Sequence, residues 1–179
     1  LADEDQTLDL LAVKDVIVNA PQLADQERQH WLYGSERWRE AMHFRTSRET
    51  DRGMDQDITG ETEVMVFENR RALPRAWMAE TVTAMTEAEA IRTVKTSRFP
   101  DGTGFDARHA ALVDSSLVPP TLTFSPGASA VSVDRVGDGD IDLRVTTQGG
   151  GFLVLSENAY PGWRARIDRP GASPIGMWG

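Results

Sequence analysis

The sequence predicts an α+β chain, with an N-terminal mixed α/β part over residues 1–115 packed on a C-terminal antiparallel β-sandwich portion over 116–179, the two being separate subdomains or one continuous domain. Three observations predict it. One segment, "TEAEAIRTVKT", has strong helix signals among segments that read as strands. From about residue 120 the apolar period becomes two. The turn sequences "SPGAS", "GDGD", "QGGG" and "YPGW" then separate short alternating runs, the pattern of antiparallel sheets. The change falls near "VPP" at 118–120.

Taken in order, "DEDQTLDLLA" at 3–12 places acids before leucines, which suits a short helix with a favourable N-terminal charge. "VKDVIVN" at 13–19 is rich in β-branched residues and is stopped by Asn19 and Pro21, so a strand is expected. In 24–42, Trp31, Trp38 and Met42 have helix-compatible spacing, interrupted by Gly34. "MHFRTSRET" suits a strand, and "DRGMDQDITGE" at 51–61 a solvated loop. "VMVFE" is a strand, "NRRALP" a loop barred to helix by Pro74, and "AWMAETV" a further strand. At 86–96 Thr86 and Glu89 form a capping box, and Ala90, Ile91 and Val94 an apolar stripe. "HAALVD" is a short strand. Then Leu122 and Phe124, Val131 and Val133, and Ile141, Leu143 and Val145 alternate with polar neighbours. "FLVL" at 152–155 is apolar without alternation, as for a strand covered on both faces. Pro161 and Gly162 suit the centre of a tight turn, and "RARID" alternates again with Ala165 and Ile167 inward.

Composition narrows the function. The 179 residues are 40% hydrophobic and 26% charged, a globular balance. Net charge is −9, and only Lys14 and Lys95 are lysines among 19 basic residues. That argues against nucleic acid as a partner and against docking on anionic lipid. With no cysteine, disulfides, thiolate metal sites and thiol catalysis are excluded. No apolar run approaches a bilayer span. The chain starts at Leu1 without Met or a signal-peptide pattern and ends on "RPGASPIGMWG", so it reads as a fragment of something larger, with a C-terminus that is native or truncated.

No motif gives a cofactor or metal site. Counted from Asp138, "DGDID" has Leu143 where an EF-hand needs glycine and Gly149 where it needs glutamate, so a hairpin turn is expected. His30, His43 and His109 have no i,i+4 pairing. Gly102, Gly104 and Ala107 match a dinucleotide fingerprint but follow a helix, which reads as a loop. No catalytic constellation and no cofactor are therefore expected.

Two segments carry the remaining interest. Around Glu157 stand Asn158, Tyr160, Trp163 and Arg164, an acid, an amide, aromatics and a guanidinium, which is the chemistry of a glycan-binding surface. Tyr160 and Trp163 equally suit core anchors, with Glu157 paired to Arg164 or Arg166. In "FENRRALPRAW", Asn69 suits a turn, Arg71 or Arg75 can hold Glu68, and Arg70, Arg71 and Arg75 can meet an anionic group.

These segments, "FENRRALPRAWM" and "GFLVLSENAYPGWRARID", with "LLAVKDVIV" before them, resemble in order and spacing the C-terminal extracytoplasmic region of YfhO-like bacterial integral membrane proteins. The resemblance covers about residues 8 to 168, except 20–62; Asp15 stands where the pattern has an aromatic, and Asp168 is followed by Arg-Pro-Gly rather than the usual glycine and strands. Such proteins are related to GT-C glycosyltransferases. The resemblance implies a soluble domain on the extracytoplasmic face of the bacterial cell membrane, beside the membrane-embedded part of the same polypeptide. It implies help with acceptor or glycan recognition, or scaffolding, in cell-envelope glycosylation, with a cell-envelope glycan or lipid-linked sugar as partner. It carries over no catalytic residue. A stand-alone carbohydrate-binding module and a protein-interaction domain are the alternatives; an exposed apolar patch on a sheet face would mark the latter.

Overall fold

A computed structural model describes residues 3–19, 25–47, 61–116, 121–124, 127–158 and 162–168. The loop expected at 51–61, up to residue 60, the "VPP" segment, Tyr160 and Pro161 lie outside the described residues. The chain divides into two compact units, Leu1–Ala72 and Leu73–Gly179.

The first unit holds α1 (Thr7–Leu10), β1 (Asp15–Asn19), α2 (Gln26–Tyr33), β2 (Trp38–Ser47) and β3 (Glu61–Asn69). Only one turn of the helix expected at 3–12 forms; Ala12 follows at φ 53°, a left-handed backbone that ends it. Asp25 caps α2 by accepting from the N–H groups of Glu27 and Arg28. Gly34 closes α2 by donating to the His30 carbonyl at 2.8 Å. A Cβ on Gly34 would lie 2.4 Å from that oxygen, so glycine is required there. The spacing of Trp31, Trp38 and Met42 thus straddles a helix and a strand: Trp31 on α2 packs edge-on to Trp38 on β2, with centroids 4.9 Å apart.

β3 lies between β1 and β2, antiparallel to both. Its inward residues Met65 and Phe67 join Val18, Leu32 and Trp38 in the core, with Leu8, Val16 and Trp31 against them. Register shifts at Ala41 in β2, between the pairs Glu40–Phe67 and Met42–Val66. This bulge turns Met42 and Phe44 to the outer face.

A buried polar cluster sits at the end of this core. The Arg37 guanidinium donates to Asp9 Oδ1 (2.6 Å), the Asp5 carbonyl (2.8 Å) and Asn69 Oδ1 (3.3 Å). Asn69 Nδ2 donates to Asp9 Oδ1 (2.8 Å) and the Val13 carbonyl (3.0 Å). Arg71 reaches Asp9 Oδ2 at 3.3 Å. Burial pushes the Arg37 guanidinium below its ordinary pKa, and the adjacent Asp9 carboxylate pulls it back up.

The second unit contains β4 (Ala76–Ala79), β5 (Thr81–Met85), α3 (Glu87–Thr96), β6 (Ala110–Asp114), β7 (Thr121–Thr123), β8 (Ser129–Val136), β9 (Ile141–Thr147) and β10 (Phe152–Leu155). "AWMAETV" is two strands, broken at Glu80: β4 pairs with β10, while β5 pairs with β6 and β7. β5 and β6 run parallel, joined through α3, as a parallel pair requires a crossover. Ala79, Val82 and Ala111 form the core, with Val113, Phe124, Phe152 and Val154 packed on it. The Trp77 indole donates to the Ala107 carbonyl at 2.9 Å. β8 and β9 form an antiparallel hairpin.

The described residues are mostly strands in several small sheets with few helices, an α+β class. Among the described residues no sheet closes and no β-sandwich is established. The expected change of character at 115–116 falls inside the second unit. Two local expectations need correction. Residues 163–168 form no strand and Ile167 is 49% exposed: the β4–β10 sheet has two strands only among the described residues, and the "RARID" backbone joins no ladder. "FLVL" is not covered on both faces: Phe152, Val154 and Leu155 are half-buried and Leu153 is exposed.

Arg37→Met is expected to destabilise the first unit by about 3–5 kcal/mol, since Asp9 stays buried without its main partner. Urea denaturation followed by amide exchange in β3 checks this. A second expectation concerns α3. Hydrogen bonds from the Thr86 backbone N–H and hydroxyl hold the Glu89 carboxyl below its ordinary 4.5. A depressed carboxyl gives stability that is complete above its unfolded value and drains as pH falls through the folded one. Thr86→Ala, which removes the N-cap acceptor of α3, should cost about 1 kcal/mol near neutrality. It should also flatten the loss of first-turn amide protection in α3 below pH 4.5.

Candidate functional site

β4 and β10 pair as Ala76–Leu155 and Trp77–Val154, and the Ser156 N–H extends the ladder to the Arg75 carbonyl at 2.8 Å. The ladder thereby brings "RAWMA" at 75–79 and "FLVLS" at 152–156 side by side. At its end Arg75 forms an ion pair with Glu157 Oε2, and the Asn158 N–H donates to Glu157 Oε1 at 3.3 Å. Glu157 is thus held by an arginine, as the anchor reading has it, but the arginine is Arg75. Arg166 pairs instead with Asp168 at 2.8 Å.

Of the glycan-surface residues, Glu157 and Asn158 lie together at this ladder end. Arg164 is exposed, Trp163 half-buried and Gly162 at φ 109°, in irregular chain beyond it. Tyr160 lies outside the described residues. Both Glu157 oxygens are engaged within the protein, so its presence is explained without a ligand.

The other sequence features are absorbed by local structure. Glu68 is held by Arg39, not by Arg71 or Arg75. Arg71 turns to Asp9 and Asp3, and Asn69 is buried in the Arg37 cluster rather than serving only a turn. In the β8–β9 turn Gly139 has φ 97°, while Arg135 holds Asp140 and Asp142 and Arg144 holds Asp134. Gly102 lies in a turn where the Asp101 carboxylate accepts from Thr103. His43 sits 3.8 Å from both Glu40 and Glu63 on the surface of the first unit. Among the described residues no group of three His, Cys, Asp or Glu side chains is placed to hold a metal. No described helix is long and apolar enough to cross a membrane.

One surface escaped sequence reasoning. On the outer face of the first sheet, register places Ile17, Val66 and Met42 in one row and Asn19, Val64 and Phe44 in the next. Ile17 is 69% exposed, Met42 57% and Phe44 42%. Val64 and Val66, on the central strand, are half-buried between them. On the other side of the Ile17 row lies the row of Asp15, Glu68 and Arg39. A solvated antiparallel face normally alternates to polar residues; here both faces of β3 are apolar. The signal was available in the unbroken run "VMVF", but the contribution of β2 depends on the bulge at Ala41.

Compared with known protein families, curated proteins and solved structures, the chain matches none.

The Arg75–Glu157 pair is half-exposed, so a double-mutant cycle with Arg75→Gln and Glu157→Gln should give a coupling below about 1 kcal/mol in urea denaturation.

Proposed function

We propose that this chain is a non-catalytic interaction domain that binds a partner polypeptide on the outer face of the β1–β3–β2 sheet. The exposed, contiguous patch of Ile17, Met42, Phe44, Val64 and Val66 carries this reading. Scattered exposed apolar residues are ordinary, but a contiguous sheet face that is apolar and uncovered loses hydrophobic stabilisation until something covers it. The engagement of the candidate acid Glu157 by Arg75 supports a role without bond chemistry.

The resemblance to YfhO-like proteins supplies a setting for the same role. In it the chain is a scaffold on the extracytoplasmic face of a bacterial membrane, beside the membrane-embedded part of its own polypeptide, in cell-envelope glycosylation. The β-sandwich expected for 116–179 belongs to this proposal, with the β8–β9 hairpin as its best-formed piece. A second reading, a glycan surface at Asn158, Trp163 and Arg164, draws on the exposure of Asn158 and Arg164 and the partial exposure of Trp163.

The test is binding of the apolar dye anilinonaphthalene sulfonate by the native chain. Dye fluorescence should fall severalfold in an Ile17→Thr/Met42→Thr double variant, with circular dichroism and the melting temperature retained. Unchanged dye binding would remove the interaction face. Sugar transfer or hydrolysis by the purified chain, lost in Glu157→Gln, would overturn the non-catalytic assignment.

A further inference from the structure

The apolar face has a direction. At one end it meets the charged row of Asp15, Glu68 and Arg39; at the other it meets Asn19 and Thr46. In the charged row two carboxylates stand directly opposite each other across β1 and β3. Like charges at opposed positions destabilise a sheet. Arg39, from β2, pairs with Glu68 and so relieves only the Glu68 side of that arrangement. The row of Asp15, Glu68 and Arg39 thus carries one net negative charge.

Size limits what can cover the patch. Strands lie about 4.8 Å apart and same-face rows about 6.8 Å apart. Two rows across three strands, with side-chain margins, then present on the order of 250–400 Å². A second copy meeting face to face would bury about 800 Å² at most, below the roughly 1,200 Å² of stable interfaces. A single helix, with an apolar stripe at i, i+3, i+4 and i+7, matches a patch two rows deep and, bounded by the same area, binds it weakly and transiently. An anionic bilayer is opposed by Asp15 and Glu68 and by the net charge of −9.

Resting on the interaction reading, we infer that the partner is an amphipathic helical segment whose apolar stripe ends in lysine or arginine, with the cation seated against Asp15 and Glu68. The apolar stripe gives the affinity by covering Ile17, Met42, Phe44, Val64 and Val66. The cation sets the orientation, since a reversed segment would leave it against Asn19 and Thr46, and an acidic segment would meet like charge.

The experiment uses the whole chain and two synthetic peptides of about 18 residues, long enough for helix formation on a surface. Both carry the same leucine stripe; one ends it in lysines, the other in glutamates. Fluorescence anisotropy gives the affinities, and methyl NMR gives the location. The lysine peptide should bind about tenfold more tightly than the glutamate peptide. Shifts should be confined to the methyls of Ile17, Met42, Val64 and Val66. In Asp15→Asn/Glu68→Gln the preference should shrink to less than about threefold while both peptides still bind. Raising the salt concentration should shrink it likewise.

Equal binding of the two peptides by the native chain would overturn the inference, as would shifts elsewhere. So would concentration-dependent dimerisation through the same methyls, or binding to phosphatidylserine–phosphatidylcholine vesicles in place of the peptide. If neither peptide binds while dye binding still maps to the patch, the partner chemistry is wrong and the interaction face stands. Loss of dye binding as well would sink both.

Discussion

The buried guanidinium of Arg37 is the constraint on which the first unit depends. A charge withdrawn from water is tolerated only where every donor finds an acceptor, and few arrangements of the chain offer that. Here Asp9 from α1, the Asp5 carbonyl and Asn69 at the end of β3 meet it together. Because Arg37 immediately precedes β2 and Asn69 ends β3, the cluster fixes where these strands begin to pair, at Trp38 opposite Asn69. Register along the hairpin follows from that pair and from the bulge at Ala41. The composition of the outer face follows from register, since a slip of one residue would exchange its apolar and polar sets. The polar cluster at one end of the core therefore decides which side chains the sheet shows to solvent.

What could be read from the sequence was local. The capping box of Thr86 and Glu89 lies within four consecutive residues, and it forms as expected. The alternation of β8 and β9 and the glycine in their turn are likewise short-range, and the hairpin is present. What could not be read depends on distance. Arg37 looks like any surface arginine in "GSERWRE" until Asp9, 28 residues away, and Asn69, 32 away, come to it. The break at Glu80, where the chain passes from one sheet to another, is invisible because "AWMAETV" suits a strand throughout. The "RARID" alternation fails for the opposite reason. Its pattern is that of a strand, but a strand exists only with a partner, and none of the described strands pairs with it.

The candidate glycan residues show the same division. Their chemistry was legible: an acid beside an amide and aromatics is a fair sign of a sugar surface. Their partnership was not, because Arg75 lies 82 residues from Glu157. Once the strands pair, Arg75–Ala79 and Phe152–Glu157 become one physical object, a short ladder closed by an ion pair. That pair is exposed enough to contribute little stability. Its consequence is geometric: it closes the end of the β4–β10 ladder. A residue with that task needs no ligand to account for it, and this weakens Glu157 as evidence for glycan binding while leaving Asn158, Trp163 and Arg164 untouched.

The acidity of the chain and its apolar sheet face bear on each other. A net charge of −9 makes copies repel at long range, which slows self-encounter without altering the energy of contact once made. That repulsion opposes the approach of a second copy to the five apolar side chains of the sheet face. The same field that separates copies would draw in the cation-bearing segment we propose, and within about 8–10 Å the local row of Asp15 and Glu68 would take over from the net charge. Affinity and orientation thus come from separate parts of one face. Covering Ile17, Met42 and Phe44 supplies free energy without regard to direction, whereas the carboxylates add little free energy and define one end. Such a face distinguishes partners by the placement of a single charge, which the apolar residues alone cannot do.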